Sequence, residues 1–210
     1  AGTDGFPGNF DLEIQYSLVK EGLMIRYSAT TDAPTVCNMT NHSYFNLNGH
    51  GSGDILGHTL QLQASAFTPA DEHTMPTGEI TPVDGTCMDF RTAKPIGQDI
   101  HDAALAPFRG YDTNFCLDGK GLRKIGQAEG DQTGIVMEVE TTLEGVQLYT
   151  ANFLTERRGK QGAIYAPRCA LCLETQYFPN AMACDGFEKP ILRAGDLWRH
   201  CTTLIFSGKR

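Results

Sequence analysis

Strict alternation of apolar and polar residues is the dominant pattern along this chain. In residues 10–18 every even position is apolar and every odd position is polar, which predicts a half-buried β-strand. The turn residues Lys20-Glu-Gly22 follow, and apolar residues then recur at positions 23, 25, 27 and 29. We therefore expect an antiparallel β-hairpin over residues 10–30.

The same alternation recurs in the second half of the chain and predicts a hairpin over residues 135–153. Helical periodicity is limited to one short segment, 98–105. Two polar, turn-rich segments, 67–96 and 106–134, are expected to be loops at the end or concave face of a sheet. Further strands are predicted at 35–40, 58–66, 169–175 and 197–206. The pattern as a whole predicts an all-β fold, a sandwich or a barrel.

Composition narrows the possible partners. A length of 210 residues with 40% hydrophobic content fits one domain, residues 1–210. A net charge of −8 disfavours nucleic acid and anionic membranes as partners, because phosphate binding needs clustered Lys and Arg. No apolar stretch approaches the roughly 18 residues of a membrane span, so we expect no membrane association.

Cysteine and histidine spacing gives no sign of a metal site. The seven cysteines are an odd number without the dense spacing of a disulfide scaffold, which favours a reducing, cytoplasmic compartment. Cys169 and Cys172 lie three residues apart on a predicted strand, where their side chains face opposite sides. The six histidines form no HxH or HExxH pair. We therefore predict no metal and no cofactor.

Two residues are the main candidates for chemistry, and each has an ordinary structural alternative. His42 lies in Thr40-Asn-His-Ser-Tyr-Phe-Asn-Leu47, a mixture of polar and aromatic residues that suits a sugar. The alternative is a histidine satisfied within a turn. Glu174 follows an apolar run, where burial would raise the pKa of its carboxyl and make it a base near neutral pH. Its alternatives are a solvated strand end or a structural ion pair.

Asp112 and Gln147 are weaker candidates for substrate binding. Asp112 follows a glycine and is flanked by aromatic residues, a context that fits an Asx-turn as well as a ligand. Gln147 lies on the second strand of the predicted 135–153 hairpin and is equally ambiguous.

Taken together, these segments resemble the aldose 1-epimerase, or galactose mutarotase, family. The resemblance spans nearly the whole chain, and its blocks around His42 and Glu174 are specific. The matching blocks are Asp4-Gly-Phe-Pro-Gly8, Thr40-Asn-His-Ser-Tyr-Phe-Asn-Leu47, Gly110-Tyr-Asp-Thr-Asn-Phe115, and Leu173-Glu-Thr-Gln-Tyr-Phe-Pro-Asn180, the last preceded by Gln147-Leu-Tyr-Thr-Ala-Asn-Phe153.

The resemblance implies a large antiparallel β-sandwich that binds a sugar on its concave face. It also implies roles for the four candidates. Glu174 would take the proton of the C1 hydroxyl while His42 protonates the ring oxygen, and the opened sugar would reclose as the other anomer. Asp112 and Gln147 would bind sugar hydroxyls.

The chain also departs from the family pattern. The family carries an arginine and a second active-site histidine upstream of the position that corresponds to Asp4. The resemblance therefore covers the C-terminal portion, a sandwich incomplete at the N-terminus. Half a sandwich would expose apolar faces and unpaired strand edges. We expect a separate polypeptide to supply the missing N-terminal strands.

Three other functions remain open on the sequence alone. A hexose-6-phosphate 1-epimerase would need arginines that converge on a phosphate, and the chain has scattered ones such as Arg91, Arg109 and Arg193. A non-catalytic sugar-binding module would bind without exchanging anomers. The chain could also be one domain of a larger sugar-pathway protein.

Overall fold

The computed structural model describes residues 1–208, which form a mostly β structure built around two antiparallel sheets. In order across it, the seven-stranded sheet contains β1 (Phe10–Val19), β2 (Gly22–Thr31), β16 (Trp198–Gly208), β10 (Ile135–Thr141), β9 (Arg123–Glu129), β4 (Thr59–Leu62) and β7 (Lys94–Pro95). The five-stranded sheet contains β14 (Cys172–Gln176), β11 (Gly145–Tyr149), β8 (Asp112–Leu117), β5 (Ala64–Thr68) and β6 (Thr81–Pro82). The predicted all-β fold is confirmed.

Smaller elements complete the described chain. Two short strand pairs join β3 (Thr35–Val36) to β15 (Ile191–Leu192) and β12 (Arg157–Arg158) to β13 (Ile164–Tyr165). Four 3-10 helices span Thr3–Gly5, Ala103–Phe108, Lys160–Gly162 and Ala181–Ala183. Within residues 1–208, no helix has the length and apolar character needed to cross a bilayer.

The main core lies between the two sheets, each of which turns one face inward. Met137 and Val139 of the seven-stranded sheet belong to the same buried cluster as Phe115, Val146 and Leu148 of the five-stranded sheet. All five side chains are fully buried, and their removal from water stabilises the sandwich. Because successive strand residues face opposite sides, the residues between them point outward.

The hairpin predicted at residues 10–30 is confirmed. Strands β1 and β2 pair in antiparallel register from Phe10 opposite Thr31 to Val19 opposite Gly22. The turn forms at Lys20 and Glu21, as the turn residues of this segment predict.

The hairpin predicted at residues 135–153 is wrong, because its two strands belong to different sheets. Strand β10 pairs with β9 and β16, whereas β11 pairs with β8 and β14. The corner between them is held by Arg123, whose guanidinium donates to the carbonyls of Thr141 and Leu143 at 3.0 Å each. Alternation and a turn look the same in a hairpin and in a corner between sheets, so the pattern could not distinguish them. Residues 58–66 likewise divide into β4 and β5, one in each sheet.

Two further predictions from the pattern need correction. Segment 106–134 is not a loop, since it contains β8 and β9, which lie inside the two sheets. Strand β8 has the polar Thr113 at an inward position and Cys116 at an outward one, which obscures its alternation. The helix expected at 98–105 is a 3-10 helix at Ala103–Phe108 instead, and the Asp102 side chain caps it by accepting from the Ala104 amide at 2.9 Å. Segment 67–96 is mostly irregular, as predicted, apart from the short β6 and β7.

The packing leads to a stability prediction for two leucines. Leu148 is fully buried between the sheets, whereas Leu122, in the bend before β9, is 54% exposed. We expect Leu148→Ala to lower the free energy of unfolding by about 2–5 kcal/mol and Leu122→Ala to change it by less than about 0.5 kcal/mol. Urea unfolding followed by the fluorescence of the single tryptophan, Trp198, measures both changes. Equal losses for the two variants would contradict the core described above.

Candidate active site

Three neighbouring strands present a polar patch on the outer face of the five-stranded sheet. Pairing across β8, β11 and β14 sets Gln147 opposite both Asn114 and Glu174. The inward positions of the same strands are apolar residues or threonines, so period-two alternation turns these side chains outward together. The outward positions are Asp112, Asn114 and Cys116 on β8, Gly145, Gln147 and Tyr149 on β11, and Cys172, Glu174 and Gln176 on β14.

Segment 38–47 extends this patch along the free side of β14. Phe45 and Leu171 exchange two backbone hydrogen bonds of 2.9 Å. Toward the other end, the Asn38 side chain accepts from the Tyr177 amide at 2.9 Å and donates to its carbonyl at 3.2 Å. The segment is therefore tied to β14 at two points, with His42 between them.

His42 and Glu174 meet at this seam. Counting back from the Phe45–Leu171 bridge in antiparallel register places His42 opposite Glu174. The distance from His42 Nε2 to Glu174 Oε1 is 3.3 Å. The imidazole is half exposed, at 49%, whereas the Glu174 side chain is 10% exposed. The pair therefore combines a buried carboxyl with a histidine open to the solvent.

A buried histidine anchors the end of segment 38–47. The Leu47 amide donates to His58 Nε2 at 3.0 Å, and His58 Nδ1 lies 3.3 Å from Asp131 Oδ1. His58 is fully buried, and burial lowers the pKa of its imidazole despite the nearby Asp131. A neutral ring can accept a hydrogen bond from the Leu47 amide, so His58 has a structural role.

Aromatic rings hold His42 on two sides. Tyr44 stacks on the imidazole with ring centroids 5.0 Å apart and planes 12° apart. Tyr149 meets it edge-on at 5.9 Å and 86°. The Tyr149 hydroxyl also accepts from the Phe153 amide at 3.0 Å, which brings Phe153 to the same cavity. These contacts restrict the orientation of His42 and form apolar walls beside a polar floor.

Asp112 and Gln147 are linked to one another next to the His42–Glu174 pair. The Gln147 amide donates to Asp112 Oδ1 at 2.8 Å. The Gln176 amide lies 3.4 Å from Asn114 Oδ1, and Asn114 in turn donates to Thr68 at 3.2 Å. The structure thus brings together all four residues singled out in the sequence, and it sets the Asp112 and Gln147 side chains in fixed orientations.

The side chains enclose a cavity of about 320 Å³, at the small end of the range for ligand pockets. A groove of about 550 Å³ over β1, β2 and β16 is larger, but none of the four candidates lines it. The smaller cavity is lined by His42, Tyr44, Asp112, Gln147, Tyr149, Phe153, Glu174, Gln176 and Pro179.

Burial raises the pKa of both carboxyls that line the cavity. For Glu174, the positive charge of His42 opposes this increase, and the negative charge of Asp112 adds to it. Burial also raises the pKa of Asp112, against the hydrogen bond from Gln147 and the charge of His42. A carboxyl whose pKa lies above its usual range is a better proton acceptor near neutral pH.

Sequence reasoning missed several lining residues that period-two spacing could have found. Tyr44 lies two positions after His42, Tyr149 two after Gln147, and Gln176 two after Glu174. Tyr149 and Gln176 share strand faces with Gln147 and Glu174, and Tyr44 stacks on His42 within segment 38–47. Phe153 follows the end of β11 and reaches the cavity through its hydrogen bond to Tyr149. No local sequence pattern predicts this contact.

Comparisons with known proteins point to one family. The family model for aldose 1-epimerase matches residues 1–204. The galactose mutarotase of Sus scrofa is 39% identical over 98% of this chain and 60% of its own length, and that of Homo sapiens has the same values. The aldose 1-epimerase of Escherichia coli (strain K12) is 36% identical over 98% of this chain and 61% of its own length. The chain therefore spans about 60% of the length of these curated relatives.

Solved structures give the same result. An aldose epimerase homologue from C. elegans superimposes with a TM-score of 0.89 at 29% identity, covering 99% of this chain and 62% of the other. The galactose 1-epimerase from Lactobacillus acidophilus NCFM has a TM-score of 0.85 at 25% identity, covering 99% and 60%. The chain belongs to the aldose 1-epimerase family.

The charges around Glu174 predict opposite effects for two substitutions. Asp112→Asn removes a negative neighbour and should lower the pKa of Glu174, whereas His42→Gln removes a positive neighbour and should raise it. Carboxyl-carbon NMR titration measures the shifts, and Glu174→Gln assigns the resonance. Shifts of the same sign in both variants would be inconsistent with this electrostatic arrangement.

Proposed function

We propose that this protein is an aldose 1-epimerase that interconverts the α and β anomers of free hexoses such as galactose and glucose. The observation that carries the proposal is the contact between His42 and Glu174, 3.3 Å apart at the floor of the cavity. Family membership and the galactose mutarotase relatives support the same reaction.

The geometry suits the atoms that must exchange protons. The C1 hydroxyl and the ring oxygen of a pyranose are bonded to the same carbon, so the base and the acid have to be neighbours. We assign Glu174 as the base that takes the hydroxyl proton and His42 as the acid that protonates the ring oxygen. The C1–ring oxygen bond then breaks to leave the open-chain aldehyde. Rotation about C1–C2 and the reverse proton transfers close the ring as the other anomer, and each proton-transfer group contributes about 10²–10⁴-fold.

We assign Asp112 and Gln147 to binding the sugar hydroxyls. Their mutual hydrogen bond of 2.8 Å orients both side chains, which holds the ring in one position relative to the acid and base. Tyr44, Tyr149 and Phe153 offer rings to the C–H face of a sugar.

The cavity favours a free sugar over a sugar phosphate. Its lining in the described residues has two carboxylates and no lysine or arginine. Arg91 is paired with Asp84 and Asp89 at 2.6 Å each. The Arg109 guanidinium lies over the Phe153 ring, 5.7 Å from its centroid. A phosphate would meet negative charge in the cavity, with Arg109 beside Phe153 and Arg157 near Tyr44 outside the lining.

Activity on freshly dissolved α-D-galactose tests the proposed reaction. We expect the protein to speed the approach to anomeric equilibrium in polarimetry, and Glu174→Gln to lower kcat by about 10²–10⁴-fold, because the amide cannot accept the proton. Glu140→Gln, on β10 of the other sheet, is the matched control and should retain the wild-type rate.

Two results would change the assignment. Protection of the protein by galactose against thermal unfolding, without any acceleration, would identify a non-catalytic sugar-binding protein. A higher kcat/KM for glucose 6-phosphate than for glucose would identify a hexose-phosphate epimerase.

We also propose a cytoplasmic location. All seven cysteines, which lie within the described residues, are free thiols, as suits a reducing compartment.

We further propose that additional polypeptide covers β1. Strand β1 is at the edge of its sheet and exposes a row of large apolar side chains. Such an edge invites a further strand. The exposed residues are Leu12, Ile14, Tyr16 and Leu18.

Native mass spectrometry of the purified protein tests the covering of β1. We expect a complex heavier than the 22.9 kDa of this chain. A well-folded monomer of that mass would overturn this part of the proposal.

A further inference from the structure

Three side chains of different chemistry, each able to bind a metal, meet at the cavity: His42 and Glu174 line it, and the fully buried Cys172 lies beside them. One nitrogen of His42, the Cys172 sulfur and one carboxylate oxygen of Glu174 all lie within 4.8 Å of one another. Within residues 1–208, no other group of three or more His, Cys, Asp and Glu side chains is gathered so tightly. The proton-transfer chemistry proposed above uses His42 and Glu174 and gives the Cys172 thiol no role.

The backbone holds these donors in place. Cys172 and Glu174 are alternate residues on one face of β14, and segment 38–47 presents His42 from the neighbouring seam. The 3.3 Å between His42 Nε2 and Glu174 Oε1 matches the ligand–ligand separation of about 3.4 Å in a tetrahedral zinc site with bonds of about 2.0–2.1 Å. The cluster needs small side-chain rotations, and no rearrangement of the strands, to surround an ion.

The types of ligand favour a thiophilic cation here. The Cys172 sulfur lies within 4.8 Å of a His42 nitrogen and a Glu174 oxygen. Sulfur and imidazole ligands select zinc-like ions over magnesium or calcium.

We propose that the floor of the cavity is an inhibitory site for a thiophilic divalent cation such as Zn²⁺, bound by His42, Cys172 and Glu174. The fourth position of the ion faces the cavity and takes a water. Binding breaks the S–H bond of Cys172 and, when the imidazole is protonated, an N–H bond of His42. Both protons pass to solvent as the metal–thiolate and metal–imidazole bonds form. Inhibition rests on the proposed function, since the ion uses the lone pairs of His42 and Glu174 that proton transfer requires. Metal binding itself does not depend on that function.

Titration with Cd²⁺ tests the site without reference to activity. Cadmium thiolates absorb in the ultraviolet through sulfur-to-metal charge transfer, so the band reports a Cys ligand. We expect one equivalent to bind the reduced protein with this band, and Cys172→Ser to abolish it. Cys201→Ser, which alters a partly exposed thiol on β16, should leave it unchanged. No band in the wild type, or a band that persists in Cys172→Ser, would overturn the proposal.

A second variant tests the ligand set without altering the buried Cys172, whose substitution would also affect packing. His42 is half exposed, so His42→Asn removes a ligand without disturbing the core. We expect its Cd²⁺ affinity to fall by about tenfold or more, and equal affinity in the variant and the wild type would contradict the assigned ligands. The thermal unfolding midpoint of each variant shows whether it folds.

Inhibition kinetics then separate the two proposals. Zn²⁺ should slow mutarotation in competition with galactose, and addition of a chelator should restore the original rate. Its inhibition constant should rise about tenfold or more in Cys172→Ser, relative to the metal-free rate of that variant. Cadmium binding by a protein without mutarotase activity would leave the metal site standing and reject the proposed function. Mutarotase activity that Zn²⁺ leaves unchanged would reject the inhibitory site alone.

Discussion

The burial of one face of each sheet against the other is the constraint on which the rest of this structure depends. Phe115, Val146 and Leu148 must point inward to form the core, and the two-residue period of a strand then forces their neighbours outward. Asp112, Gln147 and Glu174 are therefore gathered on the outer face by the same packing that excludes water from the inner one. A slip of one residue in any of the three strands would bury polar side chains in the core and remove them from the cavity.

The seam between segment 38–47 and β14 brings a histidine next to the carboxyls of the sheet. The sheet supplies carboxyls on a rigid face, but His42 comes from a segment more than a hundred residues earlier in the chain. Its position depends on the Phe45–Leu171 bridge, on Asn38 and on the buried His58. These anchors leave the imidazole half exposed while its partner, Glu174, is mostly buried. That asymmetry keeps the carboxyl pKa raised and the histidine in contact with the space where a substrate would lie.

Much of the site was accessible from the sequence because strands alternate so regularly. The blocks around His42 and Glu174 pointed to a sugar-processing family, and the structure places both residues at one cavity with Asp112 and Gln147. The connections were harder to predict. The alternation predicts a hairpin over residues 135–153, although Arg123 holds this connection as a corner between sheets. The pattern also misses strand β8, because Thr113 is polar at an inward position and Cys116 is apolar at an outward one.

The local order of apolar and polar residues by itself determined that this chain is built from strands, where the first hairpin turns, and which strand faces are apolar. These properties depend on neighbours along the chain, so the sequence expresses them directly. The tertiary structure alone decided which strands share a sheet and how near His42 lies to Glu174. It also decided that Cys172, and not Cys169, lies beside these two residues. These features depend on contacts between residues distant in sequence, whose distances are set only when both sheets close over the common core.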